Sequence, residues 1–228
     1  MLNILCIGDI VGRPGRNAFN QSIGDIVLKN KIDAVIVNAE NAAGGAGLTS
    51  RIAKQFFRSG ADVLTLGDHV WDQKELYPYL DEDVPLVRPA NFPLGSPGKG
   101  WTIITTSLGI KIAVINLLGR VFMRYQVLCP FLMIDQIIQE ISSQADVIIV
   151  DFHAETTSEK IAFGHYVNGR VSAVVGTHTH VQTADESILS DGTAYITDLG
   201  MTGPYDSVIG QDKKQILKRF LTSMPAKF

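Results

Sequence analysis

Short apolar runs alternate with longer amphipathic ones through the first two thirds of the chain. Residues 3–7 predict a strand, and residues 16–29 place Phe19, Ile23, Ile26 and Val27 at helical spacing. Strands at 34–38 and 63–66 bracket a helix at 50–59, which Thr49 or Ser50 is able to cap. A short helix is predicted at 73–80. The middle changes rhythm. β-Branched runs at 101–107 and 111–117 are joined by Leu108-Gly109-Ile110, the pattern of an antiparallel hairpin. Helical spacing returns at 131–143. The runs 147–150 and 171–175 are wholly apolar, as expected of strands covered on both faces. Ser190-Asp191-Gly192 separates runs at 187–189 and 193–197, a second hairpin signal, and 211–221 predicts a closing helix. The mixture predicts an α/β fold of two packed sheets with helices outside.

Composition narrows the class. With 46% hydrophobic and 19% charged residues the chain is not intrinsically disordered. At 228 residues it buries enough surface, roughly 70%, to fold without a disulfide or structural metal. No repeat or long Pro/Gly/Ser linker interrupts it, so residues 1–228 read as one domain. A net charge of −3 gives no broad electrostatic footprint for duplex nucleic acid. Cys6 and Cys129 form no Cys-x-x-Cys pair; Cys6 reads as a small buried hydrophobe. The first apolar stretch stops at Asp9 without a basic segment before it, which argues against a signal peptide. No run approaches the roughly 20 residues of a membrane helix. A cytoplasmic location and no membrane partner are therefore expected.

The chemistry gathers where the predicted strands end. Gly8-Asp9 follows the first strand, Asn38-Ala39-Glu40-Asn41 ends the second, and Gly67-Asp68-His69 follows the third. Asp151-Phe152-His153 follows the strand at 147–150, and Gly176-Thr177-His178-Thr179-His180 the one at 171–175. Ligands collect at the carboxyl ends of strands in open α/β sheets. Of five histidines, four lie in these segments and only His165 does not, so chance placement is a poor account. Mixed oxygen and imidazole donors suit Mn, Fe or Zn better than Mg or Ca, and five loops carry more ligands than one tetrahedral ion needs. Plainer readings stand beside these. Asp9 alone could cap the first helix, and Glu40-Asn41 could start a turn. Gly12-x-x-Gly15 lacks the spacing of a phosphate loop, and Gly44-Gly45-Ala46-Gly47 reads as a flexible loop. Trp71 and Trp101 read as packing residues, and His165 as structural or exposed.

Six ordered stretches carry a family resemblance: Gly8 to Gly15, Val37 to Asn41, Gly67 to Asp72, Val150 to Lys160, Gly176 to Val181 and Thr197 to Pro204. On these the chain resembles the YmdB-like branch of the calcineurin-like metallophosphoesterases. The resemblance implies a four-layer αββα sandwich with a dinuclear centre of two divalent or transition-metal ions, iron or manganese first, zinc or magnesium second. It implies Asp9 and His180 on one metal with Asn41 close by, Glu40 bridging, and Asp68, His153 and His178 on the other. His69 would be the catalytic proton donor. The implied activity is phosphodiester hydrolysis of cyclic nucleotides, 2′,3′-cyclic and also 3′,5′-cyclic, by attack of a metal-bridging hydroxide. A phosphomonoesterase or nuclease with the same site, or a regulatory nucleotide-binding protein with little turnover, are the alternatives. Homo-oligomerisation is left open. Arg88 and Arg120 are candidates to orient phosphate, and Asp151 and Glu155 to support the imidazoles. The branch carries Asn where this chain has Asp68, and its members run on for a few tens of residues more, residues expected to complete the second sheet.

Overall fold

The computed structural model describes residues 1–225. The first half is built from β1 (Ile4–Ile7), β2 (Asp9–Ile10), α1 (Gly12–Asn30), β3 (Ala34–Asn38), α2 (Ser50–Ser59), β4 (Val63–Thr65), α3 (Tyr77–Leu80) and β5 (Leu86–Val87). The second half contains β6 (Trp101–Thr105), β7 (Lys111–Leu118), α4 (Pro130–Ile141), β8 (Val147–His153), α5 (Thr157–Tyr166), β9 (Ala173–Thr177), β10 (Ser187–Ile188), β11 (Ala194–Ile196), β12 (Met201–Thr202) and α6 (Lys213–Thr222).

A parallel sheet takes the order β1-β3-β4-β5, and a mixed six-stranded sheet the order β10-β11-β9-β8-β7-β6. A third, two-stranded sheet pairs β2 with β12 in parallel, opposing Asp9 to Met201.

Strand alternation sorts the apolar residues into separate cores. On β3, Ala34 and Ile36 join Val63, Val87, Ile112, Val114 and Ile149 in one buried cluster shared by the two large sheets. Val35 and Val37 point the other way, against Phe19 and Ile23 of α1 and Ile52 and Phe56 of α2. Phe56 is fully buried and meets Phe19 edge-on at 5.2 Å; burying such a ring contributes about 1.5–3 kcal/mol. The opposite face of the six-stranded sheet packs Ile115, Val150 and Phe152 against Ile134 and Ile137 of α4 and Phe163 of α5. Among the described residues no helix is long and apolar enough to cross a membrane.

Several elements differ from expectation. α1 begins at Gly12, four residues ahead of the predicted start. Pro14 falls in its first turn, where the backbone N–H has no helical partner, so the missing donor costs nothing there. Val11 occupies the N-cap and makes no side-chain cap bond, so Asp9 does not cap this helix; it lies on β2. Strand β8 continues through Asp151 and His153 instead of ending at Val150, and β9 runs to Thr177. Helix α5, β5, β2 and β12 had no sequence prediction. Thr49 does cap α2, accepting from the Ile52 amide at 3.2 Å.

Candidate metal centre

The carboxyl ends of β1, β3, β4, β8 and β9 converge. Glu40, Asp68, His153 and His178 each present one ligand atom, and those four atoms lie within 4.8 Å of one another. His153 Nε2 is 3.0 Å from Glu40 Oε1, 3.2 Å from Asp68 Oδ1 and 3.0 Å from His178 Nδ1. Asp68 thus turns inward. A second set adjoins the first: Asp9 Oδ1 lies 3.8 Å from His180 Nε2 and 4.0 Å from His153 Nδ1. Asn41 Nδ2 lies 3.1 Å from His180 Nε2 and donates to Glu40 Oε1 at 3.0 Å, so Glu40 touches both sets. All seven residues expected to face a metal are brought to one place. His69 stands at the mouth, where its backbone amide donates to Glu40 Oε2 at 3.2 Å.

Three imidazoles are oriented by partners on their outer nitrogens. His180 Nδ1 lies 3.0 Å from the Ile209 carbonyl, which accepts from it. His178 Nε2 lies 3.0 Å from Glu155 Oε2. Thr177 Oγ1 donates to Asp151 Oδ1 at 2.7 Å, so at 2.8 Å it accepts from His153 Nδ1. With its outer nitrogen donating, each ring in its neutral form aims a lone pair inward, the arrangement metal-ligating histidines show. Asn38 and Thr65 also donate to Asp151 and hold it in place.

The protonation balance agrees. Burial alone would depress His153, yet the charge of Glu40 and the hydrogen bonds of Asp68 and Glu40 hold its pKa well above the ordinary range. Burial would raise Asp68 and Glu40, but His153 overrides it and both sit below the usual carboxylate values, Asp68 with help from His178. Asp9 is raised, chiefly by burial. Burial also pushes Asp151 up to about 6. Carboxylates surrounding a buried imidazole demand a compensating positive charge, which a cation supplies as well as a proton does. Asp9 Oδ1 is buried with no hydrogen-bond partner, a further mark of a cation site. The donor set fits divalent ions.

Gly67 keeps this space open. A Cβ there would run into Glu40 Oε2 and His153 Nε2. Gly67→Ala is expected to lower metal affinity about 10- to 100-fold, the usual cost of disturbing ligand orientation. Titration of the metal-stripped variant with Mn²⁺ checks it; unchanged affinity would contradict this geometry.

Some assignments from sequence change. Arg88 is buried, and its guanidinium donates to the carbonyls of Pro97, Pro89 and Ser96 at 2.9, 2.7 and 3.1 Å. It braces its own loop and is spent there, so it does not orient phosphate. Arg120 is exposed, and its backbone amide is held by Glu159. Asp151 and Glu155 do support the imidazoles. Sequence reading missed Asp72, whose Oδ2 lies 2.8 Å from His69 Nδ1 and whose Oδ1 accepts from Arg124 at 2.8 Å. It also gave no role to Thr177 and Asn38, although both stand in the strand-end segments that carry His178 and Glu40. A cleft of about 260 Å³ over the centre is lined by Glu40, Asn41, His69, His178 and His180.

The chain has relatives of known sequence and structure. A model of the YmdB-like protein family matches residues 5–228. A Bacillus subtilis protein named 2′,3′-cyclic-nucleotide 2′-phosphodiesterase is 52% identical over 227 residues, covering 100% of this chain and 85% of its own length. A crystal structure of a Thermus thermophilus protein of no stated function superimposes with a TM-score of 0.92 at 44% identity, covering 99% of this chain and 86% of that one. A Mycoplasma pneumoniae structure described as a novel phosphatase gives a TM-score of 0.92 at 37% identity, covering 100% and 83%. With the family model matching nearly end to end, the chain belongs to the YmdB-like protein family.

Proposed function

We propose that this protein is a metal-dependent phosphodiesterase that hydrolyses cyclic nucleotides, 2′,3′-cyclic ones first. The observation that carries the reading is the set of three imidazoles, each held from outside with a lone pair aimed at buried carboxylates. The name of the Bacillus relative supports the substrate class. Asp9, His180 and Asn41 would hold one ion, Asp68, His153 and His178 the other, and Glu40 both. Iron or manganese suits these mixed ligands best. Divalent cations held there supply Lewis-acid stabilisation of phosphoryl oxygens and a nucleophile drawn from water at neutral pH.

The remaining chemistry belongs to the chain. His69 faces the cleft, and its Nδ1 is engaged by Asp72, which leaves Nε2 as the free ring nitrogen. Burial depresses the His69 pKa, but Glu40, Asp72 and Asp68 together raise it above the ordinary value, the direction that suits a proton donor. Nε2 donates that proton to the departing ribose oxygen as the P–O bond breaks. If the 2′ oxygen leaves, the product is a nucleoside 3′-monophosphate. The same reading takes residues 1–228 as one domain in a four-layer αββα arrangement, supported by the three separate buried clusters.

The test is a panel of 2′,3′- and 3′,5′-cyclic nucleotides with Mn²⁺-loaded protein, run beside bis-nitrophenyl and mono-nitrophenyl phosphate. Diesters should turn over and the monoester far more slowly. Metal-loaded protein that cleaves no diester would overturn the reading.

A further inference from the structure

The loop that carries His178 and His180 is in a costly conformation. Both residues have positive φ, 102° and 63°, a region that side-chain-bearing residues rarely enter. Such geometry persists only where surroundings over-determine it. Something must hold Thr179, the residue between them.

The holder is a buried ion pair that the hydrolytic reaction leaves unused. Lys160, on α5, is 1% exposed and Asp198 is 0% exposed. Lys160 Nζ donates to Asp198 Oδ2 at 2.6 Å and to the Thr177 carbonyl at 2.7 Å. Asp198 Oδ2 also accepts from the Thr179 amide at 3.2 Å and from Thr179 Oγ1 at 2.8 Å, while Oδ1 accepts from the Gly200 amide at 2.7 Å. The two charges thus grip the backbone on both sides of His178. Its amide in turn donates to Asp9 Oδ2 at 3.1 Å.

We propose that Lys160 and Asp198 are positioning residues that clamp Thr179 and so set both imidazoles for the metal centre. Neither touches the reacting atoms; both act through His178 and His180. The proposal rests on the metal-centre reading above. It also explains why a lysine sits fully buried on the inner face of α5 when an apolar residue would cost less desolvation.

Breaking one half of a buried pair leaves an uncompensated charge and risks unfolding. Two other variants avoid this. Thr179→Val keeps both charges paired and removes the hydroxyl bond to Asp198, together with the longer bonds of that hydroxyl to the Val181 amide and carbonyl at 3.3 and 3.4 Å. The double variant Lys160→Met/Asp198→Asn removes both charges together. Its carboxamide cannot accept from Thr179 and Gly200 at once, because one oxygen has become an NH₂ group.

Three measurements are read on each metal-stripped variant. Mn²⁺ affinity, by calorimetric titration, should fall about 10- to 100-fold, as for other groups that orient metal ligands. Hydrogen exchange should accelerate at the amides of residues 178–180 while the β7 and β8 amides stay protected. Excess Mn²⁺ should then recover most turnover of bis-nitrophenyl phosphate. Unchanged affinity and unchanged exchange in both variants would overturn the proposal. If the unaltered protein binds no Mn²⁺, the metal-centre reading fails instead. Exchange then decides the clamp alone: local loss of protection upholds it, and intact protection removes it.

Discussion

Glu40→Gln is expected to reduce diester turnover at least about 10³-fold and to strip metal from the centre. Lewis-acid stabilisation supplies several kcal/mol, and each 1.4 kcal/mol is about tenfold in rate. Glutamine keeps the shape and removes one charge. That charge faces His153 Nε2 at 3.0 Å, receives Asn41 Nδ2 at 3.0 Å and receives the His69 amide at 3.2 Å. One substitution therefore touches both ligand sets and the backbone that places the proton donor. Elemental analysis and steady-state kinetics on the same preparation test it. Full metal content with unaltered kcat would remove Glu40 from the bridging role.

His69→Ala should behave differently. Loss of a general acid costs about 10²–10⁴-fold, but only where the leaving group needs a proton. Turnover of a cyclic nucleotide, which expels a ribose alkoxide, should fall through that range. Turnover of bis-nitrophenyl phosphate should fall much less, because nitrophenolate leaves unaided. Metal content should not change, since His69 Nδ1 is engaged by Asp72 and its ring joins neither ligand set. Asp72→Asn should show the same leaving-group discrimination in weaker form. Loss of metal in His69→Ala, or equal losses on both substrates, would make His69 a ligand rather than an acid.

The sequence made the site more legible than the frame that holds it. Polar residues after apolar runs announce themselves, and each of the five predicted segments delivers its residues to the centre. The frame was obscured where burial and polarity coincide. Helix α5 escaped notice because Glu159 and Lys160 are buried on it, which erases the expected amphipathic face. Strand β8 was cut short for the same reason. Asp151 and His153 look like loop residues, yet they pair in register with Asn116 and Leu118 of β7. Their polar atoms are satisfied by Asn38, Thr65 and Thr177, contacts no local pattern records. The β2–β12 pair is too short for any periodicity to show. Arg88 misled in the opposite sense: an arginine suited to phosphate is committed to three backbone carbonyls.

The small β2–β12 sheet bears on how the protein is made. It joins Asp9 to a partner strand near the other end of the described chain, and the His178 amide reaches Asp9 across a separation of 169 residues. Contacts of such long range close late, because the loop entropy comes due before the contact rewards it. During synthesis Asp9 leaves the ribosome early, and its carboxylate faces no imidazole until His153, and then His180, follow. Strand β12 comes later still. A nascent chain that stops short of residue 202 therefore lacks the strand that registers Asp9. Metal capture is thus expected only once β12 has been made, and translation interrupted before it should leave no partly active hydrolase behind.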